Sequence, residues 1–342
     1  MIRFDCDYLE GAHPLILQRL LDTNLEQTPG YGDDHYSAQA REKIKAACGR
    51  PDADVHLLVG GTQTNMTVIT AILRPHQGVI AADSGHVNTH ECGAIEATGH
   101  KVLTIPTGDG KLTAEQVDAR WRAHWDDPNA EHMVQPGLVY ISHPTESGTL
   151  YTKAELEAIY AVCRKRGLPL FIDGARLGYG LMADGADLTL PDIANLCDVF
   201  YIGATKVGAL FGEAVVILDP AFKPDFRSLV KQRGGLLAKG RLLGLQFDTL
   251  FTDGLYFTIA RHAIELANVL RQGFADAGFP FLFDSRSNQQ FPILPDALLE
   301  RLKDRYSWDF WCRVDEGHCA VRFCTSWATT EENVRALLRD LR

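Results

Sequence analysis

PLFIDGARLGYG (residues 169–180) and DVFYIGATKVG (residues 198–208) decide the fold prediction, because each is a short apolar run that ends in glycine and polar residues. Five more runs of this kind lie between residues 55 and 220, namely VHLLVGG, GVIAADS, KVLTIP, GLVYISHP and AVVILDP. Helical patterns such as LTAEQVDARWRAHW and YTKAELEAIYAVCRKRG separate several of them. This alternation predicts βαβ units in an α/β fold, with a mainly parallel seven-stranded sheet covered by helices on both faces.

The pattern changes after about Gly240, where a long helical segment is followed by short strand-like runs and a final helix. A smaller α+β domain is the expected result. We therefore predict an N-terminal segment (residues 1–20) that packs with the small domain, a large domain (residues 21–240) and a small C-terminal domain (residues 241–342). Within the large domain, Thr152 with Glu155 forms a capping-box signal and Gly167 a stop signal for one crossover helix.

Composition restricts the function classes. The 342 residues carry 34 basic and 44 acidic side chains, a net charge of −10 without any basic block, so a nucleic-acid partner is not expected. Neither a secretory signal nor an apolar stretch of membrane-spanning length is recognisable, which predicts a cytoplasmic protein without membrane contact. The eight cysteines include no CxxC pair, so neither a disulfide framework nor a metal site is expected.

Three motifs follow apolar strands, where open α/β sheets bind their ligands. GGTQTN (residues 60–65) opens a helical pattern, and its backbone N–H groups with the Thr62 hydroxyl suit an anion. An ordinary strand-to-helix turn, with glycine for its conformational freedom and threonine as a cap, is the alternative. The motif is neither a dinucleotide fingerprint nor a P-loop.

The other two motifs place an acid and an amine at strand ends. Asp173 ends FID and would need a cation or several donors if buried; a helix cap or a pair with Arg176 are the ordinary alternatives. Lys206 follows FYIGAT on a glycine-bracketed turn, where a partly buried amine has the lowered pKa that Schiff-base chemistry requires; a solvated strand end is the alternative. Together with the anion cradle, these parts can hold pyridoxal 5'-phosphate (PLP).

The chain resembles the threonine aldolase and β-eliminating lyase family, which has the aspartate aminotransferase fold (fold type I) and depends on PLP. The resemblance extends through nearly the whole chain, over the segments DYLEGAHP, PGYGDDHY, GGTQTN, SGHVNTHECGAIEATGH, DGKLT, FIDGARL, GATK, FGEA and RFCTSWATTEENV. It implies that Lys206 forms the Schiff base with PLP and that Asp173 pairs with the pyridinium nitrogen. Gly61, Thr62 and Thr205 would bind the phosphate.

The resemblance also implies a substrate side. His86 would stack on the pyridine ring and is a candidate base for the substrate hydroxyl. Arg322 would bind the substrate carboxylate, with Arg176 as a second contact beside the cofactor. Cys6 stands where the family usually has a serine that touches this carboxylate, which predicts a weaker hydrogen bond.

A dimer or tetramer is implied, with sites at the dimer interface. Tyr31 would reach an active site, in the family across that interface. Lys231 or Arg233, before the apolar GLLAKGRLLG stretch, would add a cation to the partner's phosphate.

One segment departs from the family pattern. Where many members carry a histidine near the substrate hydroxyl, this chain has SHPTES (residues 142–147), which places Thr145 or Glu146 there. His143 is close in sequence, but an offset of one residue along a strand points a side chain to the opposite face. Thr145 and Glu146 are therefore the candidates on the hydroxyl side.

The function implied is aldol cleavage of L-threonine, L-allo-threonine or a related β-hydroxy amino acid to glycine and an aldehyde. Cleavage of a phenylserine in preference to threonine, and PLP-dependent β-elimination, are alternatives that use the same cofactor. An α/β binding protein without PLP chemistry is the alternative from another class, since a fold does not establish a function.

Overall fold

The structure is a computed structural model that describes residues 1–341. Over these residues the strands are β1 (Ile2–Arg3), β2 (Asp54–Leu58), β3 (Gln77–Ala82), β4 (Val102–Ile105), β5 (Gln135–Ser142), β6 (Leu170–Asp173), β7 (Val199–Gly203), β8 (Glu213–Ile217), β9 (Gln289–Gln290), β10 (Ile293–Pro295), β11 (Tyr306–Ser307), β12 (Asp309–Asp315) and β13 (His318–Cys324).

The helices surround these strands. They are α1 (Pro14–Asp22), α2 (His35–Cys48), α3 (Gly61–Ile72), α4 (His86–Thr89), α5 (Ala94–Ala97), α6 (Ala114–Trp125), α7 (Lys153–Arg166), α8 (Leu177–Met182), α9 (Leu190–Asn195), α10 (Phe226–Gln232), α11 (Arg241–Leu250), α12 (Leu255–Asp276), α13 (Asp296–Leu302) and α14 (Glu331–Asp340). No helix within residues 1–341 is both long enough and apolar enough to cross a membrane.

The central sheet has seven strands in the order β2-β8-β7-β6-β5-β3-β4. All seven predicted strands are present, and the mainly parallel arrangement is confirmed. Strand β8 is antiparallel to both of its neighbours, β2 and β7, whereas the other neighbouring pairs are parallel. The carboxyl ends of β3, β5, β6 and β7 therefore meet at one edge of the sheet, together with the start of β8.

Side chains alternate between the two faces of this sheet, and each face has its own core. Phe171 and Tyr201 pack in the core that holds α3 and α10, whereas Ile172 and Phe200 pack in the core that holds α2 and α7. Helices therefore cover both faces, as predicted. By the same alternation, Asp173 shares the α3 face with Phe171, which positions it for the site described below.

The crossover helix α7 begins and ends where the sequence predicts. The Thr152 side chain accepts a hydrogen bond from the Glu155 backbone N–H, and Glu155 returns a bond to the Thr152 backbone. Gly167 caps the carboxyl end in the left-handed conformation, with φ of 65°. Helix α7 thus ends directly before β6, whose last residue is Asp173.

A second sheet lies towards the C-terminus, where β12, β13 and β10 pair in antiparallel fashion and β9 adds to β13. Its core includes side chains from α12, α13 and α14, and it also takes in Phe4 from the N-terminal segment. Strand β1 pairs in parallel with β11.

The long helical segment predicted after Gly240 is divided in two. Asp253 and Gly254 take left-handed conformations, with φ of 51° and 71°, and separate α11 from α12. Helix α11 packs on α2, and α12 packs on both α8 and α14. The domain boundary at residue 240 stays a prediction.

Candidate active site

A cleft of about 300 Å³ lies at the carboxyl edge of the central sheet. The three sequence motifs meet in this cleft because parallel strands bring their carboxyl ends together, as the pairing of Ser142 with Asp173 illustrates. Its lining consists of Tyr8, Val59, Gly60, Gly61, Thr62, His86, Ser142, Pro144, Thr145, Glu146, Asp173, Ala175, Arg176, Tyr201, Thr205, Lys206 and Glu213.

Asp173 is buried and held by several donors. The Tyr140 hydroxyl donates to Oδ2 over 2.6 Å, the Tyr201 hydroxyl donates to Oδ1 over 2.5 Å, and the Ala175 backbone N–H donates to Oδ1 over 3.0 Å. Burial raises the pKa of this carboxyl, but nearby His86 and the tyrosine hydrogen bonds outweigh burial, so the pKa lies below its ordinary value. Asp173 is therefore an anion prepared to face a cation.

Arg176 pairs with Asp7 and not with Asp173, so the alternative of an Asp173–Arg176 pair is wrong. The Arg176 Nε and Nη2 atoms donate to the two oxygens of Asp7 over 2.7 and 2.9 Å. Burial by itself would raise the pKa of Asp7. The positive charges of Arg176 and Lys206 together outweigh burial, so the pKa of Asp7 falls to about 2. This bidentate pair ties the N-terminal segment to the cleft and orients the guanidinium.

Lys206 lies on the turn that follows β7, with its amine in the cleft. Burial lowers the pKa of this amine, and the positive charge of Arg176 lowers it further, against the opposing effects of Asp7, Asp173 and Glu213. The Nζ atom is 6.0 Å from the centre of the Tyr8 ring. A lysine with a lowered pKa holds more of the free amine that attacks a carbonyl carbon.

His86 stands at the start of a buried hydrogen-bond chain that reaches Asp173. Its Nδ1 atom is 2.8 Å from the Glu91 Oε1 atom, and the Glu91 side chain is fully buried. The Asn65 Nδ2 group donates to the same Glu91 oxygen over 2.7 Å and to Asp173 over 3.2 Å. A carboxylate at Nδ1 favours the tautomer with the proton on Nδ1, which leaves Nε2 free to accept a proton.

Sequence reasoning missed four residues of this network: Asn65, Glu91, Tyr140 and Tyr201. Asn65 had a recognisable signal, because it lies one helical turn after Gly61 on the same side of α3. The tyrosines lie on the same face of the sheet as Asp173. Tyr140 lies two residues before Ser142 on β5, and Ser142 pairs with Asp173, so the alternation of side chains gives this face.

Glu146 and Thr145 both line the cleft, but only Glu146 contacts the His86 segment. Its Oε1 atom accepts hydrogen bonds from the Ser142 hydroxyl over 2.7 Å and from the His86 backbone N–H over 2.9 Å. Burial raises the pKa of Glu146 above its ordinary value. The Thr145 hydroxyl lies 2.6 Å from the Thr149 hydroxyl and is buried with it.

His143 lies outside the cleft lining, as expected from the alternation of side chains along a strand. Its ring lies near Tyr151, with centroids 6.4 Å apart, and against Gly180. Burial lowers its pKa to about 4. His143 therefore does not face the cleft, and Thr145 and Glu146 stay the candidates on the hydroxyl side.

The anion cradle lies where β2 leads into α3. Gly60 precedes the helix in an extended conformation, and Gly61 is its first residue, so the N–H groups of the first turn face the cleft. A Cβ atom added to Gly61 would lie 3.3 Å from the Tyr201 hydroxyl, which leaves little room for a side chain. Thr62 and Thr205 line the same end of the cleft. These groups fit a phosphate.

Three predicted site residues of the described chain do not line this cleft: Cys6, Tyr31 and Arg322. Arg322 donates from Nη1 to Gln289 over 3.0 Å and pairs through Nη2 with Asp309 over 2.9 Å. Tyr31 is 44% exposed. The roles of these three residues stay predictions.

Of the two predicted cations, Lys231 is the one that contacts Tyr31, with its Nζ atom 4.5 Å from the ring centre. Arg233 donates instead to the Thr70 hydroxyl over 3.2 Å. Their contribution to a partner's phosphate stays a prediction.

The family model described as beta-eliminating lyase matches residues 16–336. The low specificity L-threonine aldolase of Pseudomonas aeruginosa is 32% identical over 343 residues, which cover 99% of this chain and 97% of the relative.

Solved structures share the architecture. A threonine aldolase of Leishmania major superposes with a TM-score of 0.97 at 47% identity and covers 100% of this chain and 98% of its own. An aspartate aminotransferase of Thermus thermophilus superposes with a TM-score of 0.72 at 17% identity, over 99% of this chain and 90% of its own. At this identity the likeness concerns the fold alone.

Proposed function

The chain belongs to the beta-eliminating lyase family, and from this membership we propose that it cleaves L-threonine or L-allo-threonine to glycine and an aldehyde. It has the fold type I architecture and is a PLP-dependent carbon–carbon lyase. One observation carries the proposal: Lys206, Asp173 and the start of α3 line a single cleft in a chain that aligns over its whole length with an L-threonine aldolase.

The cleft residues fit PLP. When bound, this cofactor accepts the electron pair that the broken Cα–Cβ bond leaves on Cα. Lys206 would hold the cofactor through its amine, and Asp173 would keep the proton on the ring nitrogen. Gly61, Thr62 and Thr205 lie where the phosphate would be held. The tyrosines that donate to Asp173 hold its carboxylate in a fixed orientation.

The substrate carboxylate is bound by arginine. Arg176 lines the cleft and is oriented by Asp7, so its guanidinium presents a fixed cation. Arg322 lies on β13 near the N-terminal segment, since its Nη2 atom donates to the Asp5 carbonyl. Cys6, next to Asp5, is the third member of this proposed carboxylate site.

The proton of the substrate hydroxyl is removed by His86. Glu91 accepts a hydrogen bond from the Nδ1–H group of His86, so the free Nε2 atom is the base. Glu146 contacts the backbone of His86 and lies on the hydroxyl side, with Thr145 beside it. We regard Glu91 as a positioning residue, because it acts through the imidazole.

Glu91→Gln removes the charge that orients and polarises His86. We expect kcat for threonine to fall roughly 10- to 100-fold with little change in KM, as for other carboxylates that support a functional histidine. Steady-state kinetics over pH 6–9 would measure this loss. Glu96→Gln is the matched control, because Glu96 is exposed on the neighbouring helix α5. An unchanged kcat for Glu91→Gln would remove Glu91 from this role.

A product assay tests the function itself. The protein is incubated with PLP and, separately, with L-threonine, L-allo-threonine, phenylserine and a β-substituted alanine. We expect glycine and aldehyde from the hydroxy amino acids, with no pyruvate or ammonia. Pyruvate with ammonia would identify a β-eliminating lyase, and faster glycine release from phenylserine would identify a phenylserine aldolase. No product and no PLP absorbance would identify a binding protein without this chemistry.

We also propose a homodimer or homotetramer that works in the cytoplasm. Several exposed apolar side chains support an interface, among them Leu15, Leu21 and Leu25, which are 54%, 72% and 91% exposed. Tyr31 is exposed as well and suits the predicted contact with a partner's site.

A further inference from the structure

Glu213 is a buried carboxyl in the cleft for which the reaction described above has no use. It is the first residue of β8 and pairs with Gly203 of β7 and with Leu58 of β2. Leu58 is followed by the Val59–Gly60–Gly61 turn, so Glu213 lies beside the anion cradle. Its side-chain parity matches Val215 and Ile217, which face the α3 core, and it is 3% exposed.

The hydrogen bonds of Glu213 connect it with Thr205. The Thr205 hydroxyl donates to the Glu213 Oε1 atom over 2.8 Å and accepts from the Gly212 backbone N–H over 3.0 Å. Because the single hydroxyl proton of Thr205 goes to Glu213, Thr205 would take part in phosphate binding by holding Glu213 in place and not by donating to the phosphate itself. The other carboxyl oxygen, Oε2, is buried and has no hydrogen-bond partner among residues 1–341. A buried polar atom of this kind calls for a partner that the protein alone does not supply.

Burial, and not the surrounding charges, favours the neutral form of Glu213. Asp173 opposes ionisation and Lys206 favours it, while the Tyr201 and Tyr256 hydroxyls are the other titratable groups that sense this carboxyl. Burial is the largest effect and raises the pKa of Glu213 to about 8. A protonated carboxyl offers one O–H donor while its other oxygen still accepts the bond from Thr205.

We propose that Glu213 is a neutral carboxylic acid whose Oε2–H donates a hydrogen bond to the phosphate of PLP. The inference rests on the proposed function, because it requires PLP in this cleft. A phosphate dianion is a pure acceptor, and an ionised carboxylate beside it would repel it. Protonated Glu213 would therefore join the N–H groups of α3 as a donor, which explains why an acid is tolerated at the phosphate end.

The proposal predicts that PLP binds more weakly as the pH rises through the pKa of Glu213. Binding favours the protonated form, so the affinity contributed by Glu213 is complete below this pKa and is lost above it. With a pKa of about 8 in the free protein, the dissociation constant should rise about tenfold between pH 7 and pH 9 from this group alone. Glu213→Gln keeps an N–H donor at every pH and should not show this loss.

The experiment titrates full-length apoprotein with PLP and with pyridoxal, which lacks the phosphate, at pH 7 and pH 9. The measured quantity is the dissociation constant of the wild type divided by that of Glu213→Gln. For PLP we expect a ratio near 1 at pH 7 and about 10 at pH 9. For pyridoxal we expect the same ratio at pH 7 and pH 9. Other titrations, including that of Lys206, occur in both the wild type and Glu213→Gln and therefore cancel in the ratio.

Each other result overturns the inference. A PLP ratio that stays constant with pH would show that Glu213 does not titrate against the cofactor. An equal rise of the ratio for pyridoxal would show that Glu213 acts on Lys206 and not on the phosphate. Glu157→Gln on the exposed side of α7 is the matched control and should follow the wild type. If Glu213→Gln fails to fold, the wild type alone still tests the inference. Its dissociation constant should then rise more for PLP than for pyridoxal between pH 7 and pH 9. Failure of the wild type to bind PLP at all would instead refute the proposed function.

Discussion

Lys206→Ala will abolish covalent binding of PLP and lower kcat for threonine cleavage by roughly 10³-fold or more, the largest effect expected of any single substitution here. In the proposed function the Lys206 amine is the group that would bond to the cofactor, and burial together with Arg176 keeps its pKa below the ordinary value. Without this amine the cofactor would have no covalent attachment to the protein.

Borohydride reduction followed by peptide mass spectrometry measures this change. The wild type should carry the reduced cofactor on Lys206, and Lys206→Ala should carry none. Lys303→Ala is the control, since Lys303 is 53% exposed on the small C-terminal part of the chain. Partial rescue of the variant by added methylamine would separate chemistry from misfolding. A labelled variant, or one with wild-type kcat, would contradict the assignment of Lys206.

Asp173→Asn will lower kcat by roughly 10²- to 10³-fold while PLP binding changes much less. The asparagine has nearly the same shape, but it lacks the negative charge that keeps the ring nitrogen protonated. The structure prepares this charge, because burial would otherwise raise the pKa of Asp173 and the donors Tyr140 and Tyr201 hold it down. The loss should therefore fall on bond cleavage.

Kinetics at saturating PLP, with a separate titration of PLP affinity, measure the two effects. Asp198→Asn is a matched control. Asp198 is also buried, but it precedes β7 at the opposite edge of the sheet, where it accepts from the Leu170 backbone N–H over 2.8 Å. That variant should lose stability and keep kcat. Recovery of full kcat in Asp173→Asn by excess PLP would contradict the electrostatic role and leave only a binding role.

The strands and the main cofactor residues follow from local patterns. Short apolar runs ending in glycine or polar residues predict β6 and β7 correctly, because a strand buried on both faces has no polar positions within it. Their carboxyl ends carry Asp173 and Lys206, and parallel strands must place these residues at one edge. The signals for the crossover helix α7 are equally local, since a cap depends on residues three positions apart.

Other parts of the site depend on contacts between distant segments, which no local pattern encodes. Asp7 and Arg176 are 169 positions apart, and their pairing contradicts the alternative in which Asp173 binds this arginine. The division of the helix after α11 arises from left-handed residues at Asp253 and Gly254. Glu91 in the SGHVNTHECGAIEATGH segment gave no sign that its carboxyl would be buried against Asn65.

The sequence by itself determined the fold, the cofactor family and the positions of Lys206 and Asp173, because strand ends and helix starts are set by neighbours along the chain. Only the tertiary structure decided which partners the buried acids meet. Nothing in the sequence distinguishes Glu91, Glu146 and Glu213. In the structure Glu91 contacts His86 and Glu146 contacts Ser142. Glu213 contacts Thr205, and its second carboxyl oxygen has no hydrogen-bond partner among residues 1–341. The free energy of ionising a carboxyl depends on burial and on nearby donors and charges, and these exist only once the sheet has assembled.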